Sequence, residues 1–156
     1  MDGEYLSILE GFIVRAKAAT YVGSGVKSLS HRPASHDLEY HEDLFDYLDS
    51  YFGGTDFIGE EVVYYKQLPV WAMNYYGRII EPSRISGAEA GQAIKESLSR
   101  LYEEVRFLGG FEFNTKYGTY VDTNQGDFKT FTGREWITQD GIIVYELYYH
   151  GGLVRE

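Results

Sequence analysis

FIGEEVVYYKQLPVWAMNYYGRII, Phe57 to Ile80, recurs in divergent form as FTGREWITQDGIIVYELYYHGGLV, Phe131 to Val154. Laid without gaps, the copies share Phe57 with Phe131, Gly59 with Gly133, Glu61 with Glu135, Val70 with Val144, Tyr75 with Tyr149 and Gly77 with Gly151. Chance gives about two such matches at ordinary residue frequencies, so the chain reads as a doubled unit. Unmatched positions keep their character, as Trp71 does with Tyr145 and Met73 with Leu147.

Each copy is a β-branched and aromatic run interrupted by a two-residue break. Asp140-Gly141 is a strong hairpin signal, and it places the turn of the first copy at Lys66-Gln67. Upstream, Leu38 to Tyr51 alternates loosely as one or two strands closed by Gly53-Gly54, and Tyr47-Leu48-Asp49 is answered by Tyr120-Val121-Asp122. Leu6, Leu9, Ile13 and Ala16 predict an amphipathic helix from Gly3 to about Thr20, capped by Asp2. Ser86 and Glu89 form a capping box ahead of a second helix carrying Ala90, Ile94, Leu98, Leu101 and Val105.

The expected order is helix, three strands, helix, three strands. The fold class is α+β: an internally duplicated helix plus three-stranded antiparallel unit, the two halves forming one sheet system with pseudo-twofold symmetry and helices on one face. One domain spans residues 1–156, with halves at about 3–80 and 86–156 and a linker at 81–85. Tyr21 to His36, with Gly23, Gly25, Pro33 and the basic Lys27, His31, Arg32 and His36, reads as a long loop able to cover an acidic cleft.

Composition narrows the function classes. The chain has 156 residues, a net charge of -10 and no Cys, which excludes a disulfide framework and thiolate chemistry. The acidic balance argues against direct nucleic-acid binding by this chain, because phosphate contacts draw on Lys and Arg. No apolar run approaches membrane-spanning length and no basic leader precedes one, so the expectation is a cytoplasmic, soluble protein without a membrane partner. With 15 Tyr and 9 Phe, the chain has amphipathic surface to spare for a ligand pocket or for a homodimer interface.

With tight two-residue turns, Glu61 falls opposite Ala72 and shares its face with Phe57, Gly59, Val63, Val70, Asn74 and Tyr76. Glu135 falls opposite Glu146, beside Tyr148 and His150. Two carboxylates facing each other across a ladder require a proton or a cation between them. Trp71, Met73, Tyr75, Tyr145 and Tyr149 then take the other, core-facing side. The mixed face suits an organic cation, so the candidate ligand-binding residues are Glu61, Glu135, Trp71, Asn74, Tyr76, Tyr148, Glu146 and His150. The alternative is that Glu61 and Glu135 accept structural hydrogen bonds.

His31, His36, His41 and His150 fit no metal-site spacing, and neither a metal nor another cofactor is expected. No residue is assigned to catalysis, because two-carboxylate chemistry depends on a separation that sequence does not give. Asp49 and Asp122 are expected to close strand connections through backbone hydrogen bonds.

Arg32-Pro33, Ser35 to Tyr40, Tyr47-Leu48-Asp49, Phe57 to Glu61, Val70 to Gly77 and His150-Gly151-Gly152 together resemble a bacterial domain of unknown function that occurs alone or C-terminal to XRE-type helix-turn-helix regulators. The resemblance covers nearly the whole chain from Phe12 and implies a regulatory setting and no reaction. The doubled plan is also similar to GyrI-like effector domains, where an acidic residue in an aromatic cleft meets cationic ligands. The leading expectation is a non-enzymatic sensor domain for a small lipophilic or cationic ligand, with no DNA-binding domain of its own. An acidic protein-interaction module of inhibitor or immunity type and a carboxylate-dependent hydrolase or isomerase are the alternatives.

Overall fold

The computed structural model describes residues 2–22, with Val22 as backbone only, and 27–156. Helix α1, Gly3–Lys17, starts where the Asp2 side chain accepts from the Tyr5 amide at 2.7 Å, and it runs on into a π-helical turn at Ala18–Val22. Its apolar stripe of Leu9, Phe12, Ile13 and Ala16 is fully buried, and Phe12 stacks on Phe45 at 4.9 Å. Helix α2, Gly87–Glu103, opens with the expected capping box: Ser86 accepts from the Glu89 amide and Glu89 accepts from the Ser86 amide. Ala90, Ala93, Ile94, Ser97, Leu98 and Leu101 form its buried face.

The strands are β1 Lys27–Ser28, β2 His36–Glu42, β3 Phe45–Gly53, β4 Phe57–Tyr65, β5 Leu68–Ile79, β6 Phe111–Thr115, β7 Gly118–Asp127, β8 Thr130–Gln139 and β9 Ile142–Leu153. They form a single antiparallel sheet in the order β1-β2-β3-β4-β5-β9-β8-β7-β6. The count exceeds the expected three strands per helix. Leu38 to Tyr51 divides into β2 and β3 at Asp43, which adopts a positive φ of 54°, while β1 and β6 arise in stretches with little alternation. Of the long loop expected over 21–36, residues 23–26 lie outside the described residues. Its C-terminal part contributes β1 and a turn in which the buried Asp37 accepts from the His31 amide and Ser50 hydroxyl. Among the described residues, no helix is long and apolar enough to cross a membrane.

Both expected hairpin turns form, at Lys66-Gln67 and Asp140-Gly141, all four residues having positive φ. The register beyond them differs from the expectation. Val63 pairs with Trp71 but Tyr64 pairs with Pro69, so Val70 is an extra residue. Likewise Ile137 pairs with Tyr145 and Thr138 with Ile143, leaving Val144 extra. One bulged residue exchanges the two faces of everything beyond it on that strand. Glu61 therefore faces Met73 rather than Ala72, and Glu135 faces Leu147 rather than Glu146. Both share their side with Tyr75 and Tyr149, while Asn74, Tyr76, Glu146, Tyr148 and His150 point the other way. Pro69 lacks an amide to donate, but the second bulge forms with Ile143 at the corresponding place, so proline is not its cause.

Trp71 ties the parts of the core together. Fully buried, it stacks on Phe131 at 5.9 Å, meets Phe107 edge-on at 5.8 Å and donates its indole N–H to the Phe128 carbonyl at 2.9 Å.

Helix α2 ends in strain. Val105, 75% exposed, closes the helix with a φ of 57°, a left-handed position at which a β-branched side chain costs about 1–2 kcal/mol relative to glycine. Val105→Gly is expected to stabilise the protein by about 1 kcal/mol, read as a rise in the urea midpoint at unchanged m-value. A fall in the midpoint would mean that Val105 makes a contact worth more than its strain.

Candidate functional site

A cavity of about 600 Å³ lies between the sheet and both helices. Its floor carries Asp49, Glu61, Asp122 and Glu135, each 6% exposed or less. The acids come in cross-strand pairs: Asp49 of β3 sits directly opposite Glu61 of β4, and Asp122 of β7 directly opposite Glu135 of β8. Like charges so placed repel, and burial adds the cost of desolvation. The facing acids expected from the sequence were Glu135 and Glu146. Glu146 instead lies on the outer face, held by Arg78 at 2.9 Å and Arg134 at 2.8 Å.

Tyrosine hydroxyls make the burial tolerable. Tyr47 donates to Glu61, and Tyr75 donates to Asp49 at 2.6 Å. In the other half Tyr120 and Tyr145 donate to Glu135, the latter at 2.8 Å, and Tyr149 donates to Asp122 at 2.7 Å. Tyr75 starts on β5 and must cross β4 to reach β3, passing over Gly59, its own cross-strand partner. Tyr149 likewise crosses β8 over Gly133. A Cβ on either glycine would clash with the tyrosine ring, so both crossings require glycine.

Among the described residues, only the first acid pair has a cation in contact. Lys17, at the end of α1 and 4% exposed, places Nζ 2.9 and 3.0 Å from the two Glu61 oxygens and 3.3 Å from Met73 Sδ. The rings of Phe107, Trp71 and Tyr21 surround it at 5.1, 5.9 and 6.0 Å. Lys27 and Lys95 also line the cavity, but both are exposed.

Burial pushes the Asp49 carboxyl up to about 8, with Glu61 adding to the rise and the Tyr75 hydroxyl opposing it. Burial likewise raises Asp122 to about 7, reinforced by Glu135 and opposed by Tyr149. Glu135 is also raised by burial, against its two tyrosine donors. The site thus holds protons it can release near neutral pH when positive charge arrives.

Of the residues singled out from sequence, Glu61 and Glu135 line this cavity, and Trp71 backs the Lys17 ammonium. Asn74, Tyr76, Tyr148, Glu146 and His150 gather on the outer face, where Tyr76 and Tyr148 are about half exposed. Sequence reasoning missed Lys17, Asp49 and Asp122. Asp49 and Asp122 take tyrosine hydroxyls rather than closing strand connections through the backbone. A signal existed for each: Lys17 continues the apolar stripe of Leu9 and Ile13, and the Tyr-x-Asp pattern recurs at Tyr47 and Tyr120. Among the described residues, no group of three or more His, Asp or Glu could hold a metal ion; His31 and His41 pair with Glu39 and Asp46 instead.

The raised carboxyls fix the sign of a pH dependence. Between the unfolded Asp value of about 3.9 and their folded values, Asp49 and Asp122 keep protons that the unfolded chain has released, so stability falls as pH rises through that window. His41, raised by Asp46, contributes in the same direction, whereas the lowered Asp37, Glu42 and Glu146 act at more acidic pH. The melting temperature is expected to drop between about pH 5.5 and 8.5. Asp49→Asn with Asp122→Asn should flatten that drop; an unchanged slope would place its origin elsewhere.

Neither a curated protein nor a solved structure matches the chain significantly. Residues 49–154, from the first cavity aspartate through β9, match the family described as a domain of unknown function, DUF5680, and the chain belongs to that family.

Proposed function

We infer that the cavity binds a lipophilic organic cation and that the protein is a non-enzymatic small-molecule sensor. The observation that carries this reading is the burial of two facing acid pairs, Asp49 with Glu61 and Asp122 with Glu135, in an aromatic-lined cavity large enough for a small organic molecule. Folding places like charges opposite one another at a cost in stability, and an arriving cation relieves that cost. The aromatic walls supply apolar contact and cation-π attraction. In this reading the two halves descend from one duplicated helix-and-sheet unit related by an approximate twofold axis, with both helices covering one face. The resemblance to domains attached to XRE-type regulators supports an effector role in transcription regulation.

A second reading draws on the raised Asp122 and Glu135 carboxyls beside tyrosine hydroxyls. An Asp122 carboxyl raised to about 7, beside a Glu135 carboxyl that burial raises in the same direction, suits proton transfer in a hydrolase or isomerase. Turnover lost in Glu135→Gln without loss of folding would favour it.

The sensor reading is tested by calorimetry and thermal shift with 4-phenylbutylammonium against 4-phenylbutanol, which has the same skeleton without the charge. The amine is expected to bind and to raise the melting temperature, and the alcohol to do neither. Because the cation binds the ionised acids, affinity should rise between about pH 6 and 8, by up to about tenfold per unit below the Asp122 value. Equal binding of amine and alcohol would remove the electrostatic basis of the proposal.

A further inference from the structure

The two acid pairs are built alike but differ in occupancy. In the first, the Lys17 ammonium contacts both oxygens of Glu61 within an aromatic cage of Phe107, Trp71 and Tyr21. In the second, Glu135 and Asp122 are met by tyrosine hydroxyls, and among the described residues no cationic side chain lies within ion-pair distance of either. Arg106 turns to the Leu108 and Gly110 carbonyls, and the exposed Lys95 forms no ion pair with either acid. One side of the chamber therefore already contains an ammonium group belonging to the chain.

We propose that Lys17 permanently occupies the first of two ammonium positions, and that the position at Glu135 and Asp122 takes the single cationic nitrogen of the ligand. This deepens the cation-binding reading and rests on it. The ligand class is a lipophilic monoamine, one cationic nitrogen on an apolar body lodged against the aromatic walls. A diamine is discriminated against, because its second ammonium would meet the Lys17 charge instead of a free carboxylate, and two like charges at about 4 Å repel by about 4 kcal/mol at an effective dielectric of 20. Lys17 thus acts as a specificity-determining residue that sets the number of charges the cavity accepts.

The experiment compares 4-phenylbutylammonium with α,ω-diaminoalkanes from hexyl to dodecyl on wild type, Lys17→Ala and Lys17→Ala/Glu61→Gln by calorimetry. Wild type should bind no diamine more tightly than the monoamine. Lys17→Ala should bind at least one diamine about tenfold more tightly than wild type does, a modest share of the repulsion removed. Ethylammonium chloride should also raise the melting temperature of Lys17→Ala while leaving wild type unmoved, since the small cation fills the vacated place.

Lys17→Ala leaves Glu61 buried without a counter-ion and can fail to fold. The double variant removes both charges and keeps the proposal open to refutation. It should bind the monoamine more tightly than Glu135→Gln does, and Glu135→Gln should bind it at least tenfold more weakly than wild type. Monoamine binding lost in the double variant but kept in Glu135→Gln would overturn the assignment of the open position. A folded Lys17→Ala with no diamine gain and no ethylammonium response would overturn the role given to Lys17. Neither result touches cation binding itself, which falls if wild type binds no monoamine or binds the amine and the alcohol equally.

Discussion

Two pairs of carboxylates face each other across β-ladders in a cavity lined by sheet and helices, and the rest of the structure accommodates that repulsion. Asp49 cannot move away from Glu61, nor Asp122 from Glu135, because antiparallel register fixes each pair side by side. Burial removes the water that would otherwise screen them. The remaining responses are proton retention, hydrogen bonding and a counter-ion, and this protein uses all three. Asp49 and Asp122 hold protons toward neutral pH, five tyrosine hydroxyls supply donors, and Lys17 neutralises one glutamate.

Those donors explain features of the backbone that have no other evident purpose. A tyrosine on β5 reaches an aspartate on β3 only by lying across the strand between, which demands glycine at the crossing point. Gly59 beneath Tyr75 and Gly133 beneath Tyr149 meet that demand in the same way. The bulges at Val70 and Val144 complete the arrangement, since each turns the inner residues of β5 and β9 toward the carboxylates. Without them Tyr75 and Tyr149 would project from the far face, and the acids would lose their donors.

The two acid pairs differ in one respect, the presence of a cation. A chamber with four acids and only tyrosine donors would be symmetric in charge. Lys17, brought in by the last turn of α1, breaks that symmetry, and among the described residues no cation pairs with Glu135 or Asp122. In this reading an apolar amine completes the second half as Lys17 completes the first, and proton release from Asp122 couples its arrival to pH.

The sequence by itself determined both helices with their caps, both hairpin turns and the recurrence of a glutamate at Glu61 and Glu135. These are local signals: a capping box, a two-residue turn and a repeated residue act over a few positions and need no knowledge of what packs where. The tertiary structure alone decided which face those glutamates occupy and what stands beside them. One extra residue in each hairpin put Glu61 and Glu135 on the core-facing side expected for Tyr75 and Tyr149, and left Asn74, Tyr76, Glu146, Tyr148 and His150 on the opposite, outer face. A bulge has a weak sequence signature, because Val70 and Val144 are ordinary strand residues, yet it inverts every position beyond it. The Lys17 to Glu61 contact spans 44 residues and the Trp71 to Phe128 hydrogen bond 57. Such meetings follow from packing helices onto the assembled sheet, a global constraint that periodicity along the chain does not encode.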